Sequence, residues 1–239
     1  MKFIIVGRGK MGRLLQERAT AQNDTVVATF DKDDLSNLEN FNEPVDLLLD
    51  FSNPTALTSV ASYIKRTGTA LLSGTTGYSE SDMESLRKLG NYAPVLWSAN
   101  YSLGVAVLFR ALQLVAPVLS ADFDIEITET HHNQKIDAPS GTAKLLLSAV
   151  DPKGEQSHVY GRSGNCGART KNEIGIHALR GGTVAGVHSV HFFGADEELE
   201  FTHRATSRII FVNGALHAAH MLAGRKAGFY DLQKILFGE

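Results

Sequence analysis

The chain carries a single cysteine, Cys166, so no intrachain disulfide can form. The fold must then be held by burial and hydrogen bonds, in keeping with a reducing compartment. Cys166 lies in Gly164-Asn165-Cys166-Gly167, a loop-like composition that argues against a reactive thiol. No apolar run reaches the ~18–20 residues of a membrane span. The first apolar stretch, Phe3 to Val6, leads straight into glycines and is too short for a signal peptide. A cytoplasmic protein without membrane association is expected. Cations are not in excess: Lys+Arg number 23 and Asp+Glu 26, for a net charge of -3. That balance opposes wholesale binding to nucleic acid or anionic membranes. No metal is expected either, because His217 and His220 share a helix face without a third ligand nearby, while His188 and His191 alternate across a strand. What is present is 43% hydrophobic residue over 239 positions, enough for one large domain or two small ones.

The first hundred residues alternate strand and helix. Met1 to Val6 is a β-branched apolar run, followed by Gly7-Arg8-Gly9-Lys10-Met11-Gly12 and a helical stretch from Arg13 to Ala19. Further strands are predicted over Thr25 to Phe30, Val45 to Phe51, Thr69 to Leu72 and Val95 to Trp97. Helices are predicted from Pro54 and over Ser81 to Leu89. The strands are continuously apolar, as in a parallel sheet covered on both faces. Gly7, Gly9 and Gly12 between strand and helix, with Asp31 nineteen positions beyond Gly12, complete a dinucleotide fingerprint. The glycines admit a pyrophosphate to a helix N-terminus, and Asp31 is placed for ribose hydroxyls. Asp31 alone favours NADH, whereas the adjacent Lys32 would neutralise a 2′-phosphate and admit NADPH as well. Small and polar residues gather where the other strands end, at Gly74-Thr75-Thr76 and Ser98-Ala99-Asn100-Tyr101, the edge where ligands bind in open parallel sheets.

After Tyr101 the pattern changes. Leu103 to Leu119 reads as a long apolar helix, and Asp122 to Thr130 alternates with period two. Strands over Ile174 to Arg180, Val184 to Phe193 and Glu198 to Ala205 predict a second, mixed or antiparallel sheet. A helix over Arg208 to Gly224 and a final segment to Phe237 are expected to pack back on the first domain. The expected fold is therefore α/β: an N-terminal Rossmann-type doubly wound parallel sheet over residues 1–102, with 209–239 returning to it, plus a C-terminal α+β domain over 103–208. Between two of its elements lies His131-His132-Asn133-Gln134-Lys135-Ile136-Asp137-Ala138-Pro139-Ser140-Gly141-Thr142-Ala143. Two histidines and a lysine end a strand, and a Pro-Ser-Gly-Thr turn opens a helix. Free N–H groups, hydroxyls from Ser140 and Thr142, close approach at Gly141 and nearby cations together suit a carboxylate or dicarboxylate and a proton donor.

This run, with Glu129-Thr130 before it, the glycine motif, Gly74-Thr75-Thr76-Gly77, Ser98-Ala99-Asn100-Tyr101 and Ser207-Arg208, resembles the 4-hydroxy-tetrahydrodipicolinate reductase (dihydrodipicolinate reductase) family over nearly the whole length. The resemblance implies an NADH- or NADPH-dependent reductase of the diaminopimelate route to lysine, acting on a cyclic, unsaturated dicarboxylate to give (S)-2,3,4,5-tetrahydrodipicolinate. It implies that His131 is the general acid/base and Lys135 the proton donor, with His132, Ser140, Gly141 and Thr142 at the substrate. Gly7 to Gly12, Asp31, Lys32, Gly74 to Thr76 and Ser98 to Tyr101 would line the cofactor. It also implies a homotetramer built through the second sheet. Asn133-Gln134 stands where many members carry a basic pair, which makes the implied site less positive. Two other readings stay open: another two-domain NAD(P)-dependent dehydrogenase, which leaves the His131–Thr142 cluster unexplained, and a non-catalytic NADH sensor, for which no basic DNA-binding helix is visible.

Overall fold

The protein is described by a computed structural model covering residues 1–238. In chain order the elements begin with β1 (Lys2–Val6), α1 (Lys10–Ala21), β2 (Thr25–Phe30), α2 (Ser36–Glu39), β3 (Leu47–Asp50), a short 3₁₀ turn (Pro54–Ala56), α3 (Leu57–Thr67), β4 (Ala70–Ser73), α4 (Glu80–Leu89) and β5 (Pro94–Trp97). The middle of the chain forms α5 (Leu103–Leu119), β6 (Asp124–His131), α6 (Gly141–Val150), β7 (Ser157–Tyr160), β8 (Glu173–Arg180), β9 (Gly186–Phe193) and β10 (Glu198–Ala205). It closes with α7 (Ile209–Leu222), β11 (Gly228–Tyr230) and α8 (Leu232–Phe237). These elements form two compact units, one built from Met1–Ser102 with the chain from Ile209 onward, the other from Leu103–Arg208.

The first unit is a six-stranded parallel sheet in the order β11-β5-β4-β3-β1-β2. Its central strands are buried on both faces: Phe3 to Val6, Leu47 to Leu49 and Leu71-Leu72 are at most 1% exposed. At ~1.5–3 kcal/mol per fully buried aliphatic side chain, this double burial is the main favourable term in the unit. It also accounts for the unbroken apolar strands, since neither face needs polar residues. Each connection is cut by local chemistry. Asn53 caps the turn that Pro54 opens, Gly68 ends α3 with φ +69°, and Ser79 and Asp82 form a reciprocal capping box on α4.

The second unit is a mixed five-stranded sheet, ordered β10-β9-β6-β8-β7. Strands β6, β7 and β8 are parallel, and β9 runs antiparallel to both β6 and β10. Along β6 buried residues alternate with half-buried ones, so Ile125, Ile127, Glu129 and His131 share one covered face. Ile125 and Ile127 meet Leu112, Leu146 and Phe192 in the core of this unit. On the other face Glu126 is ion-paired to Arg162, Arg169 and His177. Burial alone would raise its carboxyl, but the hydrogen bonds from Arg162, His177 and Arg169 outweigh burial and hold it at about 2. They tie down the loop that carries exposed Cys166.

The structure departs from the sequence reading at four points. Helix α1 starts at Lys10, inside the glycine motif rather than after it. Strand β3 is only four residues long, because Val45-Asp46 and Phe51 lie outside the ladder. Strands β7 and β11 and helix α2 were not anticipated; each is four residues or fewer, too short to show a period. Val184 and Ala185 lie outside β9, which starts at Gly186 after a turn at Gly182-Thr183.

Candidate active site

In the first unit the ends of β1 to β5 place the glycine motif, Asp31 and the Gly74 turn on one sheet edge. Gly7 has φ +105°, and a β-carbon there would lie 2.4 Å from Phe51 O. A β-carbon on Gly12 would lie 1.8 Å from Gly7 O, so the strand–helix crossing tolerates only glycine. Gly9 is the N-cap of α1 and offers no side chain to cap it; a β-carbon there would meet nothing within 4 Å. The start of the helix is therefore open to an anion, and its geometry fits a dinucleotide pyrophosphate. Asp31 accepts Arg8 N–H at 2.8 Å on one oxygen and Lys32 N–H at 2.7 Å on the other. Those two N–H bonds hold its carboxyl below the usual range, and each oxygen keeps a lone pair for a ribose hydroxyl.

Beneath the Gly74 turn lies a polar cluster that sequence reasoning did not flag. Asp50 is buried and accepts Ser52 Oγ at 2.5 Å, Ser73 Oγ at 2.9 Å and Tyr78 OH at 3.0 Å. Burial pushes its carboxyl up, against those hydroxyl bonds. Thr75 is buried and accepts Ser52 N–H, and its carbonyl accepts Trp97 Nε1–H at 2.9 Å. Gly74 is packed against the Phe51 ring, 2.2 Å from where a β-carbon would sit. Thr76 and Ala99 are exposed at this edge, and Ser98 and Asn100 are half-buried. Tyr101 instead turns inward, 2% exposed, and donates to Ser73 O at 2.7 Å. Its side chain thus braces the edge from behind.

In the second unit one buried carboxylate organises the end of β6. Glu129, 1% exposed, takes Arg180 Nη1 at 3.0 Å and Nη2 at 2.9 Å, His131 Nδ1, and Ser140 N–H at 3.0 Å. Burial would raise its carboxyl; the bonds from Arg180, His131 and Ser140 outweigh burial and leave it below the usual range. His131 is 9% exposed. Burial lowers its pKa, helped by Lys135 and Arg180, more than Glu129 raises it. Near neutral pH its ring is uncharged, and the assignment that satisfies Glu129 puts the proton on Nδ1 and a lone pair on Nε2.

Ser140 caps α6, accepting Ala143 N–H at 3.1 Å, and its Oγ lies 2.9 Å from His188 Nε2. It is 2% exposed, so its hydroxyl serves the helix start and His188 and is not presented outward. His188 packs edge-on to His131 with ring centroids 5.0 Å apart, and burial lowers its pKa to about 4. Gly141 stands open at the first helical position, followed by half-buried Thr142. Lys135 Nζ is held by Asp137 Oδ1 at 2.7 Å, in a turn closed by Lys135 N–H to His132 O. Arg180 also donates to Asp137 O at 2.8 Å, so one guanidinium links Glu129 to that turn.

The structure thus gathers His131, His132, Lys135, Ser140, Gly141 and Thr142 around one strand end and one helix start. It gathers Gly7 to Gly12, Asp31 and Lys32 on the other unit's sheet edge. Glu129, Arg180 and His188 carry no role in the sequence reading. Glu129 had a signal: period two puts it on the covered face of β6 beside His131, and a buried carboxylate needs partners. Arg180 had none, because its place across from His131 depends on the β6–β8 register. Helix residues His217 and His220 are exposed; His220 Nε2 lies 3.0 Å from Asp24 Oδ2. No described helix is long and apolar enough to cross a membrane.

Comparison with known proteins agrees with these two halves. Residues 1–101 match the family model for the N-terminus of dihydrodipicolinate reductase, and residues 104–236 match that for its C-terminus. The second match runs through α7 and β11, which the fold returns to the first unit. A 4-hydroxy-tetrahydrodipicolinate reductase of Exiguobacterium sibiricum is 39% identical over 98% of this chain and 96% of its own. That of Clostridium tetani is 41% identical over 99% and 97%. Among solved structures, a dipicolinate-bound dihydrodipicolinate reductase from Paenisporosarcina sp. TG-14 has the same fold, with a TM-score of 0.79 at 22% identity over 99% of both chains.

Proposed function

We propose that this chain, which belongs to the dihydrodipicolinate reductase family, catalyses that family's reduction of 4-hydroxy-tetrahydrodipicolinate to (S)-2,3,4,5-tetrahydrodipicolinate on the diaminopimelate route to lysine. The observation that carries the reading is the donor-lined end of β6 and α6, where Lys135, the α6 N-terminus and Thr142 collect around a histidine oriented by a buried carboxylate. A reduced nicotinamide dinucleotide supplies the hydride. The first unit's part is to hold that dinucleotide: pyrophosphate at Gly9 and the start of α1, adenosine ribose at Asp31, and nicotinamide against Gly74 to Thr76 and Ser98 to Asn100. Both NADH and NADPH serve, with NADH at least as good.

The second unit's part is recognition and proton supply. A flat dicarboxylate takes N–H groups at Gly141 and Thr142, the Thr142 hydroxyl, and His132. The 4-hydroxyl leaves as water to give a conjugated ring; hydride adds to that ring, and the electron density it leaves is quenched by a proton from Lys135 Nζ, whose ammonium Asp137 orients. His131, uncharged with Nε2 as acceptor, orders substrate or relays the proton rather than serving as the first acid. Sequence reasoning assigned Ser140 to the substrate as well; its buried hydroxyl makes it a positioning residue for α6. A homotetramer built on the second sheet, as the family resemblance implies, is the proposed assembly, and the cytoplasm the proposed setting.

The direct test is a coupled assay, with synthase product and NADH or NADPH followed at the nicotinamide absorbance band. No oxidation above the uncatalysed rate would overturn the reading. The binding half has its own check. Pyridine-2,6-dicarboxylate presents two carboxylates to the same donors and is expected to compete with substrate. Thr142→Val should weaken that inhibition by roughly 1–3 kcal/mol, the cost of one hydrogen bond to charge. Unchanged inhibition constants would remove Thr142 from the site.

A further inference from the structure

We propose that Asp34 is a specificity-determining residue that turns this chain toward NADH by neutralising the one arginine of the glycine motif. The inference rests on the dinucleotide site proposed above. Arg8 is bound twice over. Its backbone N–H goes to Asp31 Oδ2, and its side chain folds back on the end of β2. There Nη2 donates to Thr29 O at 2.6 Å, Nε to Thr29 Oγ1 at 3.3 Å, and Nη2 also pairs with Asp34 Oδ2. The other Asp34 oxygen accepts Asp31 N–H at 2.7 Å. Asp31, Arg8 and Asp34 thus close a ring in which the guanidinium is spent on a carboxylate of the same turn.

Discrimination between the two cofactors is electrostatic. Asp31 suits a ribose 2′-hydroxyl and repels a 2′-phosphate, which needs a cation beside it. The turn Asp31-Lys32-Asp33-Asp34 holds three carboxylates against one lysine, and Arg8 is a further cation, bonded directly to it. With Arg8 held by Asp34, exposed Lys32 is left to meet a dianion against Asp31 and Asp33. Removing the Asp34 charge while keeping an acceptor for Asp31 N–H should release the guanidinium and leave the ribose ligand in place.

The experiment is calorimetric titration of the full chain with NADH and with NADPH at one fixed ionic strength. The wild type should bind NADH more tightly. In Asp34→Asn the NADPH dissociation constant should fall about 10-fold, as expected for one charge-assisted bond at a partly exposed site, while that for NADH changes less than about 3-fold. Adding Arg8→Ala to that variant should abolish the gain. Equal shifts for both cofactors would mean that Asp34 only shapes the turn, and a gain that survives without Arg8 would mean that the released cation is not Arg8; either result overturns the proposal. Failure of the wild type to bind either dinucleotide would instead remove the underlying site, and the proposal with it. Thermal melts of each variant separate these outcomes from misfolding, and Asp34→Ser gives a second route to charge removal.

Discussion

Lys135→Ala should lower kcat by about 10²–10⁴-fold, the usual loss when a general acid is removed. The nucleotide dissociation constant should hardly move, because the proposed dinucleotide ligands belong to the other unit of the fold. Asp137 bonds Lys135 Nζ at 2.7 Å and so fixes where the ammonium points. Arg180 donates to Asp137 O and to both oxygens of Glu129, so the lysine turn is tied to the same anchor as His131. Lys135 is thereby placed in one arrangement with the histidine, a pre-organisation that serves proton delivery more than loose attraction. Steady-state kinetics with both substrates varied distinguishes the two roles. A raised KM with normal kcat would show that Lys135 only grips a carboxylate. Lys135→Arg sharpens the test, since arginine keeps the charge but parts with a proton poorly at a pKa above ~12. Full activity in that variant would end the proton-donor assignment.

Much of this site is legible in the sequence. The glycine motif could be read because its constraints are local: positive φ at Gly7 and contact at Gly12 are consequences of one strand–helix crossing. Strands β1 to β5 could be read because burial on both faces leaves a continuous apolar signature. The His131 to Thr142 run could be read because a strand end, a cap and a helix start follow one another in sequence. What escaped depends on partners far along the chain. Glu129 and Arg180 meet only through the β6–β8 register, and His188 reaches Ser140 from β9. Arg8 and Asp34 are joined by the path of the β2 turn, which no periodicity reports. Strand β11 exists because β5 offers it an edge, and three residues carry no pattern of their own. Ser140 stays ambiguous in the sequence because hydroxyl residues at a helix start have two uses, and it is the burial of its hydroxyl that favours capping.

Glu129 should prove the costliest residue of the second unit to remove. Glu129→Ala strands Arg180, the His131 Nδ1 proton and the Ser140 N–H together, with Glu129's side chain 0% exposed and that of Arg180 21%. Breaking a buried pair from one side costs ~3–5 kcal/mol, and the partial exposure of Arg180 places this case near the lower end. Glu129→Gln keeps an acceptor for Ser140 N–H but brings an amide NH₂ against a guanidinium or a ring N–H, so it should unfold less readily and still lose activity. Acid titration adds a signature that simple loosening of the fold would not produce. The Glu129 carboxyl is depressed below its unfolded value near 4.5, so its stabilisation is present above that pH and is lost as pH falls through the folded value. His131 and His188 are depressed below 6.5, so the unfolded chain takes up protons first and stability declines as pH falls from about 6.5, with His188 protonating in the fold only at about 4. The wild-type Tm should therefore decline in two stages, a histidine stage from pH 6.5 downward and a steeper carboxylate stage below about 4.5. Glu129→Gln should keep the first stage, since His131 without its carboxylate is protonated even less readily, and flatten the second. A Tm profile for Glu129→Gln that parallels the wild type below pH 4.5 would mean that the Arg180–Glu129–His131 bonds do not hold this strand end together.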